Sequence, residues 1–121
     1  MMFLTLLLMA ASQVASPGKA GEIVFFRPST VMGAAVGCPI RHKGVEIVEL
    51  GRGKFARWKV APGRYILSNR TSSVEVTVAE GETRYVRCTM KAGFLTSRAD
   101  LQLVDAEEFR AAGDFEEKPT S

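Results

Sequence analysis

The stretch Ser73–Met90, SVEVTVAEGETRYVRCTM, decides the fold class. Val74, Val76 and Val78 alternate with Ser73, Glu75 and Thr77, and after a short break Val86, Cys88 and Met90 alternate with Tyr85, Arg87 and Thr89. Successive side chains of a strand point to opposite faces, so each run buries one face and wets the other. The break itself, Ala79-Glu80-Gly81-Glu82, is turn chemistry. The same pattern continues in both directions. Upstream, Glu22–Arg27 (EIVFFR) is a β-rich run stopped by Pro28, which cannot donate to a ladder. Val36, Cys38 and Ile40 share a face of the next strand, and His42-Lys43-Gly44 turns it into Val45–Leu50 as a hairpin. Gly51-Arg52-Gly53 reads as a further hairpin turn into KFARWKV, where Ala56, Trp58 and Val60 face one way and Arg57 and Lys59 the other. Trp58 is the expected core anchor. Ala61-Pro62-Gly63 is a tight turn, and Tyr65 and Leu67 line one face of the strand after it. Downstream, Ala99–Val104 is the last strand, Asp105 is placed to cap a short helix, and Phe94 is expected to plug one end of the core, with an exposed apolar contact as the alternative. Together these elements predict an all-β fold: an antiparallel two-sheet β-sandwich of about seven or eight short strands, with one short C-terminal helix.

A chain of 121 residues, 46% hydrophobic, holds one such domain and little else. Residues 1–20 have the shape of a signal peptide. Phe3–Ala11 is apolar but shorter than the roughly 20 residues a bilayer span needs, and small residues follow up to Ala20. The mature N-terminus is therefore expected between Ser16 and Gly21, the sandwich over 21–112, and an acidic, disordered tail over 113–121. No cysteine closely follows the leader, so no lipid anchor is evident, and no later run is apolar enough for a transmembrane helix. The charge is uneven: residues 21–104 carry 13 Lys/Arg against 7 Asp/Glu, whereas residues 105–121 carry 2 against 6. Scattered charges on solvated strand faces produce such a count, and nucleic acid is not implied.

Few residues could do chemistry. Cys38 and His42, four apart on one strand, are separated by about 13 Å, too far for a thiolate and its base. A zinc site from Cys38, His42 and Cys88 lacks the spacing that preorganises tetrahedral ligands. Gly51-Arg52-Gly53-Lys54 is too short for a phosphate loop and leads into a strand. No catalytic, metal or cofactor site follows. Two features carry more weight. Cys38 and Cys88 both fall on the apolar parity of their strands and are candidates for a disulfide, with two buried thiols as the alternative. Arg57, Lys59, Arg84, Tyr85 and Arg87 fall on polar positions and are candidates for one cationic binding face, subject to strand order.

The segments FFRPSTVMGAAVGCPI, GRGKFARWKVAPGRYIL, VAEGETRYVRCTMKAGF and ADLQLVDAEE, taken in order, resemble the bacterial envelope domains grouped as the 2846 family of domains of unknown function. The likeness covers roughly residues 22–110. It implies an exported domain, often lipid-anchored, with a transthyretin-like or carboxypeptidase-regulatory-like sandwich and no assigned activity. The absent attachment cysteine departs from that pattern. The expectation is a non-catalytic, periplasmic or secreted domain that binds or structurally supports a protein, peptide or cell-wall partner. A periplasmic inhibitor or immunity-type protein is the alternative, and a thiol- or metal-dependent enzyme the more distant one.

Overall fold

The computed structural model describes residues 19–29, 37–92 and 97–121. Phe94 and Val36 lie outside the described residues, as does the signal-peptide reading of residues 1–18. The described chain is a two-sheet sandwich built from β1 (Gly21–Arg27), β2 (Cys38–His42), β3 (Val45–Leu50), β4 (Lys54–Val60), β5 (Gly63–Ser68), β6 (Ser73–Val78), β7 (Thr83–Ala92), β8 (Ser97–Val104), helix α1 (Ala106–Ala111) and β9 (Glu116–Glu117). One sheet has the order β8-β7-β1-β4-β9 and the other β3-β2-β5-β6.

The alternating runs land where the periodicity places them. Val76, Val78, Val86 and Cys88 are buried between the sheets with Ile23, Phe25, Ile40, Leu50, Ala56 and Leu67. The β2–β3 hairpin closes on Lys43 and Gly44, both at positive φ (53° and 79°), the geometry that matches a two-residue turn to strand twist. Gly21 opens β1 where a Cβ would lie 2.3 Å from Val78 Cγ1 and 2.9 Å from the Glu82 carbonyl, so only glycine admits this approach of the two sheets.

Four expectations are corrected. First, the pairing is not wholly antiparallel: β1 runs parallel to β7, and β4 parallel to β9. Second, Gly51-Arg52-Gly53 is not a hairpin turn, because β3 belongs to one sheet and β4 to the other; the Gly53 amide bonds instead to the Arg27 carbonyl at 2.9 Å. Third, Trp58 has the inward parity but is half-buried at the border of the core, while Phe25 is fully buried. Fourth, the C-terminal tail is docked. Glu116 and Lys118 donate to the Gly53 and Phe55 carbonyls (3.0 and 2.7 Å), and Ser121 donates to the Ile47 carbonyl (2.8 Å), so the tail joins the edges of both sheets along the β4 and β3 side.

Cys38 of β2 and Cys88 of β7 form a disulfide that ties the two sheets together, with Cα atoms 6.7 Å apart and both residues buried.

Candidate functional site

The outward face of the five-stranded sheet concentrates the features that the inter-sheet core does not use. Its floor follows from the β1 sequence: Ile23 and Phe25 point between the sheets, which leaves Val24 and Phe26 outward, yet these too are buried. A central strand covered on both sides reads as a continuous apolar run, as Ile23–Phe26 does. The cover is the C-terminal segment. Asp105 accepts from the Glu108 amide at 2.9 Å and starts α1, which sets Phe109 over the floor. Phe109 lies 5.0 Å from Phe26, 5.9 Å from Phe55 and 5.3 Å from Tyr85, and stacks on Phe115 at 5.3 Å. Phe115 in turn meets Phe26 edge-on at 5.5 Å.

The five residues expected on one cationic face divide. Arg57 and Lys59 of β4, and Tyr85 and Arg87 of β7, do share the outward face, but β1 runs between their strands. Arg84 does not belong with them. It neighbours Tyr85 and therefore has the opposite parity, on which Val86 and Cys88 are buried. Its Nη1 donates to the Thr77 carbonyl of β6 at 2.9 Å, and Glu82 lies close by. Nor is the outward face an uncovered positive surface. Arg87 pairs with Glu108 of α1 at 2.7 Å, Arg57 with Glu117 of β9 at 2.9 Å, and Lys54 with Glu116. Three cations of the basic body are thus paired with carboxylates of the acidic C-terminal segment.

The electrostatics of β9 follow from these pairs. The hydrogen bond from Lys54, then its charge, holds the Glu116 carboxyl below the usual range against the opposing effect of desolvation. The Arg57 hydrogen bond does the same for Glu117, and Glu117 raises Arg57 in return. Arg57 also lies over the Phe55 ring, 5.7 Å from its centroid, so the cation is framed by an aromatic face and a carboxylate. At the end of β1, on the inward parity of Ile23 and Phe25, Arg27 is buried, donates from Nη1 to the Leu50 carbonyl at 2.9 Å, and is held below its ordinary pKa by burial and by the nearby charge of Arg52.

No family model, curated protein or solved structure matches the chain.

What remains for chemistry elsewhere is limited by the bonds already made. Cys38 and Cys88, while bridged, present neither a thiolate nor a metal ligand. His42 packs against two rings that also touch each other, 5.4 Å from Trp58 and 5.4 Å from Tyr65, whose hydroxyl donates to the Ala61 carbonyl at 2.5 Å. No group of three or more metal-ligating side chains occurs among the described residues. Among them, too, no helix is long and apolar enough to cross a membrane. The residues that line the outward site, Phe26, Phe55, Phe109, Phe115, Glu116 and Glu117, went unmarked at the sequence level. The signal for them was present in the unbroken apolar run of β1 and in the opposite charge of body and tail.

Proposed function

We propose that this chain is an exported, non-catalytic domain of a bacterial cell envelope, related to the 2846 family it resembles, that engages a protein or peptide partner through a sheet edge. The observation that carries the binding part is the β4 edge. It accepts an extended segment as an added strand, with main-chain bonds giving affinity and side-chain pairs giving choice, as in strand-addition recognition. Export is supported by the leader-shaped residues 1–20 and by a buried inter-sheet disulfide, a bond that persists where thiols are not kept reduced. The carbonyl of Lys19 accepts from the Gly81 amide at 3.2 Å, a bond that processing after Ala15 or Ser16 would keep and processing after Ala20 would remove.

Intact-mass measurement of chain recovered from the envelope fraction, without reductant, tests the reading. The expected product starts between Ser16 and Gly21, is 2 Da lighter than its reduced form because of the one bridge, and crosslinks to a defined envelope protein. Recovery of unprocessed, reduced chain in the cytosol would overturn it.

A further inference from the structure

We propose that the β4 edge and the adjoining aromatic floor form a docking groove for an extended partner segment in which an aromatic residue precedes paired carboxylates, and that the chain's own Phe115-Glu116-Glu117 occupies this groove in cis as a displaceable competitor. This rests on the binding-domain reading above and names the chemistry of its partner.

The occupied state shows what the groove selects. Phe115 packs against both Phe26 and Phe109, with ring centroids 5.5 and 5.3 Å away, and completes a triangle of rings with that pair. The next two residues pair with β4 in parallel, Glu116 beside Lys54 and Glu117 beside Phe55. Their carboxylates meet Lys54 and Arg57, and the amides on either side of Glu117 bond to Gly53 and Phe55 carbonyls. One aromatic contact, two cations and two edge carbonyls are therefore read by four consecutive residues, Phe115 to Lys118. The pairing is also built to be exchanged. β9 is only two residues long, and both of its carboxylates are partly exposed to solvent. Exposed ion pairs of this kind contribute little individually. The cis segment wins mainly because it is tethered, at an effective concentration of order millimolar. A partner presenting the same chemistry over a longer strand would add main-chain bonds along the rest of β4, which β9 leaves uncovered.

The test uses the full chain and two synthetic nonapeptides with an N-terminal fluorophore. One has the sequence of residues 113–121; the other carries lysine in place of both glutamates. Binding is read by fluorescence anisotropy at low salt. The unsubstituted chain should bind neither peptide appreciably, because its groove is filled. The full-length double variant E116K/E117K, whose own tail is repelled by Lys54 and Arg57, should bind the glutamate peptide at least about tenfold more tightly than the unsubstituted chain does, and the lysine peptide no better. The reciprocal variant K54E/R57E should reverse the preference and take up the lysine peptide. All four positions are exposed or half-buried, and a melting temperature within a few degrees of the unsubstituted chain confirms the fold of each variant. Folded variants that bind neither peptide, or both alike, would overturn the groove. If the unsubstituted chain forms concentration-dependent dimers that either charge reversal abolishes and mixing the two variants restores, the tail is an exchange strand between copies, and the proposed partner is wrong. Neither result depends on export, so failure here is distinct from failure of the envelope reading.

Discussion

At the scale of single residues, the two large aromatic side chains on the inner face of the sheet differ in what they hold. Phe25 is fully buried on β1, and Trp58 leans on it from the paired strand with ring centroids 6.3 Å apart. Phe25→Ala should therefore cost about 3–5 kcal/mol, the range for deleting a buried aromatic ring. Trp58→Ala should cost less, about 2–3 kcal/mol, because part of the indole already faces solvent and His42 and Tyr65 can close over the gap. Chemical denaturation of both variants gives the order directly, and a larger loss at Trp58 would mean that the aromatic border, not the inter-sheet core, limits stability. The sequence marked Trp58 as inward through its parity with Ala56 and Val60, which is correct, but parity says nothing of distance from the edge. Arg84 is the converse case. Its charge suggested an outward residue, and only its odd-even relation to Tyr85 shows that it cannot share that face.

At the scale of elements, strands were legible and their assignment to sheets was not. Period-2 alternation depends on which face is wet, and both sheets of a sandwich satisfy it equally. Gly51-Arg52-Gly53 offers the same permissive backbone to a hairpin and to a crossing between sheets; the choice falls to long-range contacts such as the Gly53 amide on the Arg27 carbonyl. β9 was illegible because two residues have no period, and its register is set by charge pairing and by Phe115. The disulfide was legible in direction alone, since both cysteines point inward but their separation depends on how the sheets stack. Its weight can be estimated. Closing a loop with a sequence separation of 50 stabilises by about 4 kcal/mol in the chain-entropy model, before any strain. Reduction should lower the melting temperature by more than about 10 °C for a domain of this size. Because both sulfurs are buried, reductant should act only on the unfolded chain, so alkylation of Cys38 and Cys88 in dithiothreitol should track unfolding. Alkylation far faster than unfolding would show that the sheets separate locally. Helix α1 is a smaller lever: Phe109→Ala removes the ring that joins Phe26, Phe55, Tyr85 and Phe115. It should expose amides of α1 and β9 to hydrogen exchange while leaving those of β5 and β6 protected.

At the scale of the whole molecule, the C-terminal segment folds the acidic end of the chain against its basic body, and its ion pairs give the expectation that docking depends on pH. Glu116 and Glu117 both titrate below the ordinary carboxylate range because Lys54 and Arg57 hydrogen-bond to their charged forms. A carboxyl with a depressed folded-state pKa contributes stability that is present above its unfolded value and is lost as the pH falls through the folded one. Arg57, whose own pKa is raised by Glu117, stays charged throughout, so only the carboxylates switch. Docking of residues 116–121 should thus be intact at neutral pH and weaken once the medium is more acidic than the usual carboxylate range. High salt at neutral pH should weaken it in the same way, because all four groups are at least partly exposed and their pairs are screened. Phe115 packs against Phe26 and Phe109 regardless of either change, which should hold the start of the segment while its end frays. Hydrogen exchange, expressed as protection factors to remove the intrinsic pH dependence, reads this at the Lys118 and Ser121 amides, which bond to Phe55 and Ile47, with β1 amides as the internal control. Loss of protection at Lys118 and Ser121 alone, in acid and in salt, is the expected pattern. Equal protection across these conditions would mean that the aromatic contact and the strand bonds suffice, and that the opposed charges of body and tail set which segment docks without setting how tightly.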